Sequence, residues 1–151
     1  MIRASLLIAL ALLVVGCATQ TLVPQSNLEF FPASYSQTPG TTAFSVPDSD
    51  RTIYISDEPI ITHKDILKAK ETRDAHGALA ISLTLTEQAG ERMYEYTRNH
   101  LSEPIAICLD GELLSAPTVQ SAIRTHSQIT GGVEGLSKEQ VQKILNAVHA
   151  R

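Results

Sequence analysis

Histidine is the side chain best suited to moving protons or holding a metal near neutral pH. The five here, His63, His76, His100, His126 and His149, are dispersed along the chain. No two form a His-x-x-x-His pair and no cysteine pair accompanies them, so a compact metal-ligand spacing is absent from the sequence. Asp57, Glu58 and Asp65 lie near His63, where surface charge and capping account for them. Ser115 stands in Leu-Ser-Ala-Pro, without the Gly-x-Ser-x-Gly elbow that presents a nucleophilic serine. Gly131, Gly132 and Gly135 are not followed by Gly-Lys-Ser/Thr, so they form no phosphate loop and read as suppliers of unusual backbone angles. Asp110 reads as a turn residue before it reads as an acid. The sequence therefore assigns no catalytic residue, no metal site and no cofactor; an enzyme would need groups assembled from distant positions.

The residues that remain informative are structural, and they centre on 103–132. Asp110–Gly111 sits between two apolar runs, and the dipeptide suits a tight hairpin turn with positive φ at both central positions. That register opposes Leu109 to Glu112, Cys108 to Leu113 and Ile107 to Leu114. Side chains alternate along a strand, so one face is expected to carry Ile105, Ile107, Leu109, Leu114 and Ala116, with helices packed on it. The other carries Ala106, Cys108, Leu113 and Ser115. This second face, with Pro117 at its edge, is read as a surface for a protein partner or a second copy of the chain. The alternative is that the preceding segment folds back and covers it. Cys108 within such a strand reads as a small buried hydrophobe.

Sixteen acids against twelve Lys and Arg in 151 residues describe a mildly acidic chain, unsuited to the concentrated basic surface that nucleic acid requires. Its start is a separate unit. Arg3 precedes an apolar run over residues 6–15, too short for a confident membrane span and shaped like a secretory signal. The run ends Leu-Val-Val-Gly-Cys, which resembles the bacterial lipobox. The resemblance implies cleavage before Cys17, acylation of that cysteine and a membrane anchor. Ala18 after the cysteine points to the outer membrane, and the folded part is placed on the periplasmic side of the cell envelope. An ordinary cleaved signal with an incidental cysteine is the alternative. Residues 18–50, with Pro24, Pro32, Pro39, Pro47 and many Ser and Thr, read as a flexible tether. Phe30, Phe31 and Tyr35 within it are read as a patch that docks locally. The folded domain is expected over 51–151.

Within that domain, alternation predicts strands over 51–56, 78–85 and 127–130, besides the hairpin. Thr62 followed by Asp65 predicts a capped helix running to about Arg73. Thr86 caps a second helix, to about His100, with Ala89, Met93, Tyr96, Thr97 and Leu101 inward. Gly90 in that helix is expected to allow close approach to a neighbour. Ser137 and Gln140 form a capping box for a last helix with Val141, Ile144, Leu145 and Val148 inward. The order predicts an α+β fold, a mixed sheet with helices on one face.

Residues from about Glu58 to Ala150 resemble the periplasmic head subdomain of SecD, a membrane-embedded accessory subunit of the Sec protein-export machinery. Ile61–Thr62 with Asp65–Ile66 and Ala69 is similar to the family's opening. Ser82-Leu83-Thr84-Leu85, Gly90 and Tyr96-Thr97-Arg98 resemble its next strand and helix. Ile105 to Gly111 with Ser115-Ala116-Pro117 is similar to its AIVLDG…SAP hairpin, and Gln128-Ile129-Thr130-Gly131 to its QITG strand. Val133 and Glu134 depart from the asparagine–phenylalanine pair that follows in the family. SecD proteins also carry transmembrane helices and an intramembrane aspartate, for which this sequence has no second apolar segment. The resemblance thus implies the fold and contact with exported or envelope polypeptide, without proton-driven export. A different class fits the same features, an immunity-type inhibitor of a periplasm-acting toxin.

Overall fold

The computed structural model describes residues 27–47, 49–131 and 135–149. Among the described residues, nine strands and two helices are arranged as an α+β fold. The larger sheet joins β1 (Leu28–Ser34), β2 (Thr41–Ser45), β3 (Thr52–Ser56), β7 (Ile105–Leu109) and β8 (Glu112–Ser115) in the order β2-β3-β1-β7-β8, and β4 (Ile61–Thr62) also pairs with β1. A smaller sheet holds β5 (Ile66–Arg73), β6 (Leu79–Leu85) and β9 (His126–Thr130), with β6 central. Every pairing between these strands is antiparallel. The helices are α1 (Glu87–Asn99) and α2 (Lys138–His149).

β1 corrects the sequence reading. Residues 28–34 and 41–45 belong to the sheet, not to a tether. Leu28 and Phe30 point into the main core, at 0% and 4% exposure, and β1 lies between β7 and its other partners β3 and β4. Composition misled here because Thr and Ser tolerate strands, and Thr favours them. Pro32 is accommodated by position. On one side of β1, β4 pairs with Glu29 and Phe30 while β3 pairs with Ala33 and Ser34. Pro32 falls in the gap between these partners, where a missing N–H interrupts no ladder on that side.

The helix expected from Thr62 to Arg73 is likewise corrected. Only a 3-10 turn, His63–Asp65, follows Thr62, with the Asp65 carboxylate accepting from the Thr62 amide at 2.9 Å. The chain then enters β5. A β-bulge between Ile66 and Lys68 inserts Leu67, which is exposed, and the buried residues Ile66 and Ala69 end up three apart. A bulged strand thereby imitates helical spacing.

The main core lies between the sheets and helices. It takes Leu28 and Phe30 from β1, Ile81, Leu83 and Leu85 from β6, Ile105, Ile107 and Leu109 from β7, Ala89 and Met93 from α1, and Val141, Ile144 and Val148 from α2. Thr86 caps α1, its hydroxyl accepting from the Ala89 amide at 3.2 Å. The capping box of α2 forms, with Ser137 N–H donating to Gln140 Oε1 at 2.8 Å and Gln140 N–H to Ser137 Oγ at 3.1 Å. Leu101, expected inward, is exposed beyond the end of α1. The segment before β9 is strapped along α1: Thr97 Oγ1 accepts from the Ile123 amide at 2.9 Å, and Thr125 O accepts from the Leu85 amide at 2.8 Å. Gly90 makes that approach feasible, since a Cβ there would lie 2.7 Å from Thr125 Cγ2.

Candidate functional site

The β7–β8 hairpin turns through Asp110 and Gly111, whose φ values of 54° and 82° are both left-handed. The turn is tied to the start of β1 by two hydrogen bonds, Asn27 N–H to Asp110 Oδ1 at 2.7 Å and Asp110 N–H to Asn27 O at 2.9 Å. Leu109 opposes Glu112 and Cys108 opposes Leu113, as the turn dictates. Beyond them the register shifts, and Ile107 opposes Ser115 instead of Leu114. This bulge reverses the faces that follow. Ser115 now pairs with Ile107, and Ala116 joins the face of Ala106 and Cys108.

That second face is not open. Phe31 and Ala33 of β1, Phe44 of β2, Ile53 and Ile55 of β3 and Val46 gather with Ala106, Cys108 and Ala116 into a second, smaller apolar cluster. β1 and the β2–β3 ribbon, which the sequence reading places largely in the tether, close over the face. Ala106 and Cys108, assigned to a binding surface from sequence, are 0% and 4% exposed, and Ser115 is buried at 9%. Ala106 lies beneath the surface, Cys108 reaches it only at the bottom of a hollow, and Ser115 is turned to the face of Ile107. Leu113 is half-buried at the rim of the cluster and Pro117 is exposed, so these two remain accessible.

What stays open is a hollow of about 220 Å³ between the β2–β3 ribbon and β7. Phe31, Phe44 and Ile55 form its walls, Cys108 its floor and Gly111 one end, with Asp57 at the rim. Phe31, Phe44 and Leu113 are all half-buried around the cluster. Burial pushes the Cys108 thiol up to about 11, with the neighbouring Glu29 carboxylate adding to the effect. The thiol is therefore protonated at neutral pH and acts as apolar surface, not as a nucleophile. Phe31 and Phe44 were missed as site residues. The signal was present in the alternation of residues 28–33 and in the Phe44 and Val46 spacing, but proline and hydroxyl content outweighed it.

A second opening of about 230 Å³ lies beside Leu114, Ser115 and Pro117, bounded by Val46 and Arg51 on one side and Thr130 and Gly131 on the other. It places Ser115, Pro117 and Gly131 together, away from Ala106. Gly131 does not adopt left-handed φ as expected. Its role is spatial, because a Cβ there would collide with the Gly135 carbonyl group. The left-handed angle belongs to Gly135, at φ 78°. Gly132 and Cys17 lie outside the described residues. Among the described residues, no helix is long and apolar enough to cross a membrane, and no three of His, Cys, Asp and Glu gather as metal ligands.

Comparison with known proteins matches residues 39–148 to the family described as SecDF, P1 head subdomain. Among full-length relatives, the SecD protein translocase subunit of Rhodobacter capsulatus is 38% identical over 90 residues, covering 58% of this chain and 16% of the relative. The SecDF subunit of Thermus thermophilus is 35% identical over 82 residues, covering 52% and 10%. The chain thus corresponds to a small part of these proteins. A solved structure of SecDF in its super-membrane-facing form superposes with a TM-score of 0.61 at 22% identity, over 83% of this chain and 19% of that one. Another, of SecDF as a membrane component that enhances protein export, gives 0.59 at 21% identity, over 83% and 63%. At that identity the structures establish the common fold.

Proposed function

This chain belongs to the SecDF P1 head subdomain family, and from that premise we propose that it is a non-catalytic, polypeptide-binding module held on the periplasmic side of the cell envelope. The observation that carries the reading is the apolar hollow over Cys108. Phe31 and Phe44 line it and remain half-buried, and half-buried Leu113 packs on the same apolar cluster. A hollow of this size receives one or two apolar side chains of a partner segment, and such anchors dominate protein contacts. Leu113 and Pro117 extend the surface along β8. Acylation of Cys17 supplies the anchor in this reading, with the outer membrane as its location. Export-linked relatives support exported or envelope chains as the partners.

A photocrosslinking amino acid in place of Leu113 tests the contact in living cells. Adducts with exported polypeptides are expected, and far fewer from the same group at Ala75, in the β5–β6 turn of the other sheet. Phe44→Lys should weaken capture by about 1–3 kcal/mol, because the ammonium must be desolvated in the contact. Equal crosslinking from Leu113 and Ala75 would reject the site. For the anchor, fatty-acid labelling should disappear in Cys17→Ser.

A further inference from the structure

The β2–β3 ribbon borders another hollow, of about 290 Å³, on the side away from Cys108. Tyr54 lines it, and Tyr54 alternates with Ile55, which faces the first hollow. Tyr96 and His100 from the end of α1 and Glu103 from the loop entering β7 complete its working wall. The Tyr96 and His100 rings stack with centroids 4.1 Å apart and planes inclined by 13°. His100 Nδ1 lies 2.8 Å from the Tyr96 carbonyl oxygen. A carbonyl can only accept, so Nδ1 carries the proton and fixes the ring against Tyr96. The Tyr96 hydroxyl accepts from the Ala33 amide at 3.3 Å, which holds the phenol in place.

Glu103 is the unusual member. Its Oε2 is buried and has no hydrogen-bond donor. No Lys or Arg is among the residues lining the hollow. Burial raises the Tyr96 phenol, and the nearby Glu103 carboxylate adds to the rise. A desolvated carboxylate oxygen calls for a charged donor, and such bonds are the stronger class. The face of Tyr54, and the face of Tyr96 that His100 leaves uncovered, attract a cation through their ring quadrupoles. One carboxylate and one imidazole are too few for a hard metal ion, which takes six or more oxygens. An organic cation satisfies both features once the Glu103 side chain turns its carboxylate into the hollow, with the cation's N–H groups on that carboxylate and its alkyl stem on the rings.

We propose that this hollow binds an organic cation, a primary ammonium or guanidinium group on a short alkyl stem. The source is either a Lys or Arg side chain of a polypeptide or a free amine, and the two are separable by titration. The site shares only Ser56 with the apolar hollow, so Glu103→Gln is expected to leave crosslinking from Leu113 unchanged.

Calorimetric titration of the full chain in detergent at pH 8 tests it. The probes are n-butylammonium, spermidine, acetyl-Gly-Gly-Lys-Gly-Gly-amide and the same peptide with norleucine in place of lysine. Saturable binding of the lysyl peptide and no binding of the norleucine peptide are expected. Glu103→Gln should weaken the lysyl peptide at least tenfold, and Tyr54→Leu several-fold. Tyr54 is only half-buried, so the second variant reports on the site even where the first fails to fold. Tighter binding of the peptide than of both free amines identifies a polypeptide ligand, and the reverse order identifies a small amine. The proposal is overturned by absence of saturable binding for every cation, by equal affinity for the norleucine peptide, or by folded variants that bind like wild type.

Discussion

Removing residues 27–50 should abolish the fold, although the sequence marks them as expendable. β1 contributes Leu28 at 0% and Phe30 at 4% exposure to the main core, and Ala33 at 6% to the second. Truncating a buried Leu to Ala costs about 2–5 kcal/mol and a buried Phe about 3–5 kcal/mol. Losing Leu28 and Phe30 alone is therefore worth about 5–10 kcal/mol, against a total stability of about 5–15 kcal/mol for a domain of this kind. The deletion also strips β7 of five residue pairings from Leu28↔Leu109 to Pro32↔Ile105. It separates β3 from the sheet and uncovers Ala106 and Cys108. Circular dichroism during thermal melting compares residues 27–151 with residues 51–151. The longer fragment should melt cooperatively and the shorter should show no cooperative transition. Phe30→Ala in the full chain should lower Tm by roughly 10–25 °C. A cooperative melt of residues 51–151 within a few degrees of the longer fragment would refute the placement of β1 in the core.

Gly90→Val should destabilise by about 1–3 kcal/mol despite removing a helical glycine, because its Cβ would collide with Thr125 Cγ2 at 2.7 Å; urea denaturation reads this directly. Cys108 should resist alkylation at pH 8 in the folded protein and react rapidly in 8 M urea, as its thiol is buried and raised to about 11; equal rates in both states would contradict the packing of the second cluster. Asp65 is pushed up by burial but held below its ordinary value of 3.8 overall, by the Thr62 amide and by Arg92, which bonds it at 2.7 Å. Its folded pKa is depressed, so its stabilisation is present above the unfolded value and is lost as pH falls through the folded one. With Arg92 half exposed, Asp65→Asn should cost no more than about 1 kcal/mol at pH 7, and the difference from wild type should close towards pH 2; a pH-independent difference would exclude the ion pair as its cause.

Short-range chemistry was legible in the sequence. Asp110–Gly111 dictated its turn, since few dipeptides accept positive φ twice. Thr86 and the Ser137–Gln140 pair announced helix starts, because a cap needs only residues within one turn. The alternation of Leu79, Ile81, Leu83 and Leu85 declared a strand, and the motifs from Ile61 to Gly131 declared a family. Tertiary structure decided what local pattern could not. The spacing of Ile66 and Ala69 fits a helix and a bulged strand equally, and pairing with β6 selects the strand. Glu112 to Ala116 fits an unbroken ladder, and the bulge at Leu114 sends Ser115 and Ala116 to opposite faces from those the turn implies. The hollow over Cys108 and the one at Glu103 each draw on residues far apart in sequence. Whether residues 28–34 and 41–45 were tether or sheet depended on an unpaired edge of β7 that only the folded chain presents. Burial is a property of the partner surface, and the partner is distant in sequence.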